Sequence, residues 1–218
     1  VLLFLIGYIL VMGIPNLSPK LFAWEYTTEN VSMLPAIVTT VMLTGLSLLI
    51  AVPVGVFAAI FLVEYAGRQK KLVGIIRLTA ETLSGIPSIV YGLFGMLFFV
   101  TALHWGLSVL SGSLTMAIMI LPLIMRTTEE ALKSVPDSYR EASFGVGAGK
   151  LRTIFCIVLP AAVPGILAGV ILGIGRIVGE TAALLYTLGS VAKLNGCKME
   201  SGRTQAIHMY TMTSEDIF

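Results

Sequence analysis

Two groups of residues in this 218-residue chain have types and spacing that could do chemistry. Arg176 and Glu180 stand four positions apart inside an apolar run from Pro160 to Leu188, which places them on one face if that run is a continuous helix. An arginine at the centre of a bilayer costs about 2.5 to 3.5 kcal/mol on insertion scales, so such a pair should face a bundle interior or a water-filled cavity. The planar guanidinium fork suits an oxyanion, because it donates two parallel hydrogen bonds, and a neighbouring carboxylate would orient it and keep the anion from binding too tightly to leave. The other reading is a buried ion pair that only fixes helix packing. The second group is the stretch REASFGVGAGKLRTIFCIVLPAAVPG, Arg140 to Gly165, which interrupts apolar sequence with glycines and charges.

The elements that must position these residues follow from composition. Hydrophobic residues make up 56% of the chain and charged ones 12%, with a mean hydropathy of +0.94, values that one water-soluble core could not hide. The chain therefore reads as an all-α membrane protein, since closed helices satisfy their backbone in lipid. Runs long enough to cross the bilayer lie at about Ala36 to Val63, Leu83 to Leu103, Leu114 to Met125 and Pro160 to Leu188. The third is short unless the hydroxyl residues from Ser108 onward also lie in the membrane. Val1 to Ile14 is a fifth, shorter run, read as the end of a span cut upstream, and a further span is expected beyond Phe218. Pro53, Pro87 and Pro122 inside these spans imply kinks. Gly165, Gly169 and Gly173, with Gly175 and Gly179 after them, form a small-residue row suited to close helix packing.

Charge placement gives orientation. Arg68, Lys70, Lys71 and Arg77 fall in one loop, Lys133, Arg140, Lys150 and Arg152 in another, and Lys20, Lys193, Lys198 and Arg203 lie on the opposite side. The first two loops are read as cytoplasmic and residues after Leu188 as external. A net charge of +2 and a pI near 8.6 give no reason to expect a nucleic-acid partner. Cys156 and Cys197 have neither metal-ligand nor disulfide-framework spacing, and no metal is assigned to the lone His104 and His208. No GxxxxGK[ST], HExxH or nucleophile elbow occurs, so this chain has no motif of its own for ATP or hydrolysis. Between the spans, Ser134 and Asp137 have capping-box spacing, Pro136 is acceptable in a first helical turn, and a short helix through Tyr139 to Ser143 should end at Gly145, Gly147 and Gly149. It would lie across the cytoplasmic face. Arg126 with Glu130 and Glu129 with Lys133 are expected as pairs at a helix end, whereas Glu64 and Glu81 merely mark span ends.

Glu141, Ala142 and Ser143, then Gly147 after three residues and Ile157, Val158, Leu159 and Pro160 after nine more, resemble the EAA signature of the membrane permeases of ABC importers, with Ser143 in place of the second Ala. The resemblance covers nearly the whole chain. It implies a multi-span helical bundle of the MetI-like type, forming one transmembrane domain over 1–218. It also implies a cytoplasmic coupling loop at 132–159 and an external segment at 189–218 before a missing last span. In that family the signature helix docks on a separate ATPase, which assigns Glu141, Ala142, Ser143 and Gly147 to coupling.

The stretches LSGIPSIVYGLFG, GRIVGETAALLYT and SGRTQAIHMY are similar to the phosphate-importing branch, and to its A-type permease more than its C-type partner. The implied function is a multi-pass, non-catalytic permease subunit of the cell membrane moving inorganic phosphate inward, with Arg176 and Glu180 on the substrate pathway. The implied partners are a second permease, an ATPase dimer that carries ATP and magnesium, an external phosphate-binding protein, and membrane lipid. A permease for another oxyanion, molybdate or sulfate, is the nearer alternative. A channel or stand-alone carrier is the farther one, for which a docking loop has no purpose.

Overall fold

The computed structural model describes residues 1–14, 22–23, 32–66, 70–190 and 201–215. The readings that rest on Lys20, Arg68, Lys193, Cys197 and Lys198 lie outside the described residues. Ten α-helices are described: α1 (Leu2–Gly13), α2 (Leu34–Ile60), α3 (Lys70–Ser84), α4 (Ser88–Gly95), α5 (Val109–Ser134), α6 (Asp137–Gly145), α7 (Lys150–Thr153), α8 (Leu159–Val178), α9 (Ala182–Thr187) and α10 (Gln205–Glu215). Three π-helical turns extend them. Phe61–Tyr65 carries α2 onward, Met96–Ala102 carries α4 onward, and Ile154–Val158 joins α7 to α8.

Three helices among the described residues are long and apolar enough to cross a membrane: Leu34–Tyr65, Val109–Ser134 and Lys150–Val178. The expected span at Leu83 to Leu103 is not one straight helix. Its helix starts at Ser88, and α3 meets it at 98°. Proline supplies the reason, because a residue before Pro is pushed out of the helical region, and Pro87 itself stands at φ −57, ψ 140 as the cap of α4. Pro87 thus marks a break, whereas Pro53 and Pro122 sit inside the continuous α2 and α5. The Pro160 to Leu188 run also differs from expectation: its helix begins earlier, at Lys150, ends at Val178, and resumes as α9.

α5 is the central element. Its start is capped by Ser108, whose hydroxyl oxygen accepts from the Ser111 N–H at 3.2 Å, so the hydroxyl-rich approach to the third span is helical. Ser113 and Thr115 turn their hydroxyls back onto the carbonyls of Val109 and Ser111, which hides their polarity inside the helix. α2 packs on one side of α5, where Ser47 donates to its own Leu43 carbonyl at 2.8 Å and to the Ser113 carbonyl at 3.0 Å. α8 packs on the other side through the glycine row: a Cβ at Gly165 would stand 2.6 Å from that of Ala131, and one at Gly169 would stand 2.1 Å from Thr127 Oγ1. Apolar burial gives no net drive between helices in lipid, so close backbone approach and dispersion hold this contact. The Gly165, Gly169 and Gly173 row is therefore a contact within the chain, while a Cβ at Gly175 would meet nothing within 4 Å.

Two apolar clusters divide the bundle. One gathers Leu43, Met116, Met119, Ile120, Leu184 and Ile207; the other gathers Ile60, Leu62, Leu132, Ile154 and Val158 near the loop that holds α6. α4 and α9 touch at backbone distance, since a Cβ at Gly92 would lie 2.7 Å from Ala183 Cα. α10 is tied to α2 by the Gln205 N–H, which donates to Thr40 Oγ1 at 3.0 Å.

Candidate functional site

The first candidate site lies where α8 ends. Arg176 occupies its last turn, where the partial negative charge of the terminal carbonyls favours a cation. The helix stops at Gly179, whose N–H donates to the Gly175 carbonyl at 3.2 Å, and Glu180 lies beyond that cap. Arg176 and Glu180 are therefore not on one helix face, and no salt bridge among the described residues joins them. Glu180 Oε1 instead accepts from the Ala183 N–H at 3.2 Å and so caps α9. Arg176 is half-buried and has no hydrogen-bond or ion-pair partner among the described residues. On α4, the buried Tyr91 donates to the Leu83 carbonyl at 2.8 Å across the Pro87 break. Arg176 thus sits beside the interruption between α8 and α9, and irregular backbone at membrane depth is tolerated where it borders a cavity or a protein contact. Tyr91 falls in the stretch LSGIPSIVYGLFG, though nothing in its type or spacing singled it out.

The second candidate site is the loop between α5 and α8. α6 forms where the short helix was expected, but the capping box does not. Pro136 is the cap residue, and the Ser134 hydroxyl donates back to the Ala131 carbonyl at 2.8 Å in the last turn of α5. Gly147 is more than a hinge: it stands at φ +83, its N–H donates to the Phe144 carbonyl at 2.9 Å, and the Ala148 N–H donates to the Ser143 carbonyl at 3.1 Å. These two bonds are the Schellman pattern, which needs a left-handed residue at that point and so favours glycine. Ser143 is buried and shares a hydrogen bond of 2.8 Å with Thr153, which fastens α6 to α7. A small side chain is required there. Glu141 and Ala142 are exposed, and Tyr139, Phe144 and Val146 give the same element an exposed apolar surface.

Charges gather behind this loop. Arg140 Nε and Nη2 donate to Glu64 Oε1 at 3.1 and 3.0 Å, Nη1 to Asp137 Oδ1 and the Val135 carbonyl, and Nη2 also to the Leu132 carbonyl. Lys150 donates to the Glu64 carbonyl and stands 4.7 Å from the centre of the Tyr65 ring. Glu64, which the sequence offered only as a span end, is therefore a junction. Its signal was weak: one carboxylate closing an apolar run, 76 positions from its partner. Nearby, Glu129 is buried and pairs with Arg77 at 2.5 Å and with Lys133 at 2.6 Å, and the expected Arg126–Glu130 pair forms at 3.3 Å on the surface. With Glu81 these residues line a cleft of about 210 Å³ in which three cations balance three carboxylates.

On the opposite side, Arg203 Nε donates to the Ser190 carbonyl at 2.9 Å, and its Nη1 lies 3.3 Å from Nδ1 of the buried His208. Burial first, and then the Arg203 charge, hold His208 below the usual imidazole range.

Residues 51–213 match the family described as binding-protein-dependent transport system inner membrane component. A probable ABC transporter permease protein, YqgI, of Bacillus subtilis is 36% identical over 87% of this chain and 65% of its own length. The phosphate transport system permease protein PstA 1 of Mycobacterium tuberculosis is 38% identical over 73% of this chain and 52% of its own. PstA of Pasteurella multocida is 40% identical over 80% and 62%. This chain thus spans about half to two thirds of the length of these curated relatives. Among solved structures, the inward-facing MetNI methionine ABC transporter superposes with a TM-score of 0.59 at 20% identity, covering 84% of this chain and 85% of that one, which establishes the shared fold.

Proposed function

Because the chain belongs to the family of binding-protein-dependent transport system inner membrane components, we propose that it is the A-type permease subunit of an ATP-driven importer of inorganic phosphate. The observation that carries the substrate reading is Arg176: a guanidinium at a helix break in a membrane span, with no ion-pair partner among the described residues. Its fork is left to receive an oxyanion. Similarity to several phosphate permeases supports the same reading. Glu180 belongs to this pathway by capping α9, the helix that follows the break beside Arg176 and packs at backbone distance on α4.

The chain itself breaks no bond. ATP and magnesium belong to an ATPase dimer that docks on the α6 surface through Glu141, Ala142 and the Schellman turn at Gly147, with buried Ser143 holding the helix in place. A second permease completes the pathway, an external phosphate-binding protein delivers the anion, and the described residues 201–215 face it. ATPase closure displaces α6, and the ends of α5 and of the α7–α8 segment follow, because α6 is short and is bonded to α5 and to α7, which runs on into α8.

The test is uptake by the assembled complex in proteoliposomes. Phosphate, supplied with its binding protein, should drive ATP-dependent uptake, whereas molybdate and sulfate should not. Uptake of those anions in preference to phosphate would leave the permease fold intact and remove the substrate assignment.

A further inference from the structure

The Arg140–Glu64 junction lies outside everything the proposed transport cycle has used so far. α6 is joined in sequence only to α5 and to the α7–α8 segment, and those connections alone would carry a docking signal to two spans. Yet Arg140 reaches across to the cytoplasmic end of the span Leu34–Tyr65, with two hydrogen bonds to a single carboxylate oxygen. Both side chains are largely buried, at 15% and 9% exposure, so this pair is shielded from solvent and salt in a way that the surface Arg126–Glu130 pair is not. Lys150, on the far side of the loop, holds the same span end by donating to the Glu64 carbonyl and by lying over Tyr65. The π-helical turn Phe61–Tyr65 carries all three contact points.

We propose that Glu64 is a positioning residue that links the docking helix to α2, so that displacement of α6 moves three spans together instead of two. This rests on the coupling reading above. The carboxylate accepts both bonds from Arg140, and Arg140 keeps three further bonds, to Leu132, Val135 and Asp137, when Glu64 changes. Neutralising Glu64 should therefore leave α6 folded and docked while loosening its hold on α2. Neutralising Arg140 would disturb α6 itself and is the poorer test.

The experiment compares Glu64→Gln and Glu64→Ala with the unaltered complex, reading three quantities: ATPase retained on purification, ATP hydrolysed, and phosphate taken up per ATP. The expected result is full ATPase retention and continued hydrolysis, with uptake per ATP lowered about tenfold in Glu64→Ala and less in Glu64→Gln, whose amide oxygen still accepts. Unchanged uptake per ATP in both variants overturns the link. So does loss of uptake that only tracks loss of bound ATPase, since the pair would then be a folding staple. Glu141→Lys separates the levels. If it uncouples the complex and the Glu64 variants do not, only the link fails. If Glu141→Lys also transports normally, or the unaltered complex takes up no phosphate, the reading on which the link rests fails with it.

Discussion

Arg140 and Arg176 are both arginines withdrawn from full exposure, yet Arg140 donates five hydrogen bonds and Arg176 donates none among the described residues. Around Arg140 the carboxylates and carbonyls of four segments converge, so its geometry is fixed and its charge is answered. Around Arg176 the one carboxylate nearby in sequence is turned to an amide of α9. A satisfied arginine makes a joint, because moving it breaks several charge-assisted bonds together. On the proposed function, an arginine whose fork is left open is the group that receives the oxyanion.

The largest expected effect breaks or keeps that contrast at Arg176. Arg176→Gln should lower phosphate uptake about a hundredfold or more, roughly 2.7 kcal/mol, with the complex still assembled. Since Glu180 does not pair with it, the Arg176→Gln, Glu180→Gln double variant should transport no better than the single one. Recovery of uptake in the double variant would show that the two form a packing pair after all, and the contrast with Arg140 would disappear.

An intermediate effect concerns what holds α8 in place between the two regions. Gly169→Leu should destabilise the complex by about 1 to 3 kcal/mol in thermal unfolding, since even its Cβ would fall 2.1 Å from Thr127 Oγ1 and 2.7 Å from Thr127 Cβ. Gly175→Ala, with open space around it, should stay within about 0.5 kcal/mol. Equal losses at the two positions would mean that the glycines serve a contact other than the one with α5.

The smallest effect is at the other face, where Arg203 meets His208. Folding holds the imidazole below its usual value of 6.5, so the folded chain binds fewer protons than the unfolded one as pH falls. Stability of 201–215 should be full above about pH 6.5 and decline as pH drops below it toward the lower folded value. Hydrogen exchange of that segment at about pH 7.5 and 5.5 measures this, and His208→Gln should flatten the difference.

The sequence by itself determined the membrane-helical class, the helix at Arg140 to Ser143 and its end at glycine, because hydropathy, small-residue spacing and a left-handed turn are local properties that few residues can supply. It carried the family resemblance in one contiguous stretch for the same reason. It misjudged the Leu83 to Leu103 and Pro160 to Leu188 runs, since apolar composition continues through both while helical geometry stops at Pro87 and at Gly179. Only the tertiary structure decided which charges meet. Glu64 and Arg140 are brought together by the packing of α2 on α5, and Arg176 and Glu180, neighbours at helical spacing, are parted by a cap that lets the carboxylate take the next helix's amide instead. Pairing in a low-dielectric interior depends on where backbone ends and neighbouring donors fall in space, which sequence spacing does not encode.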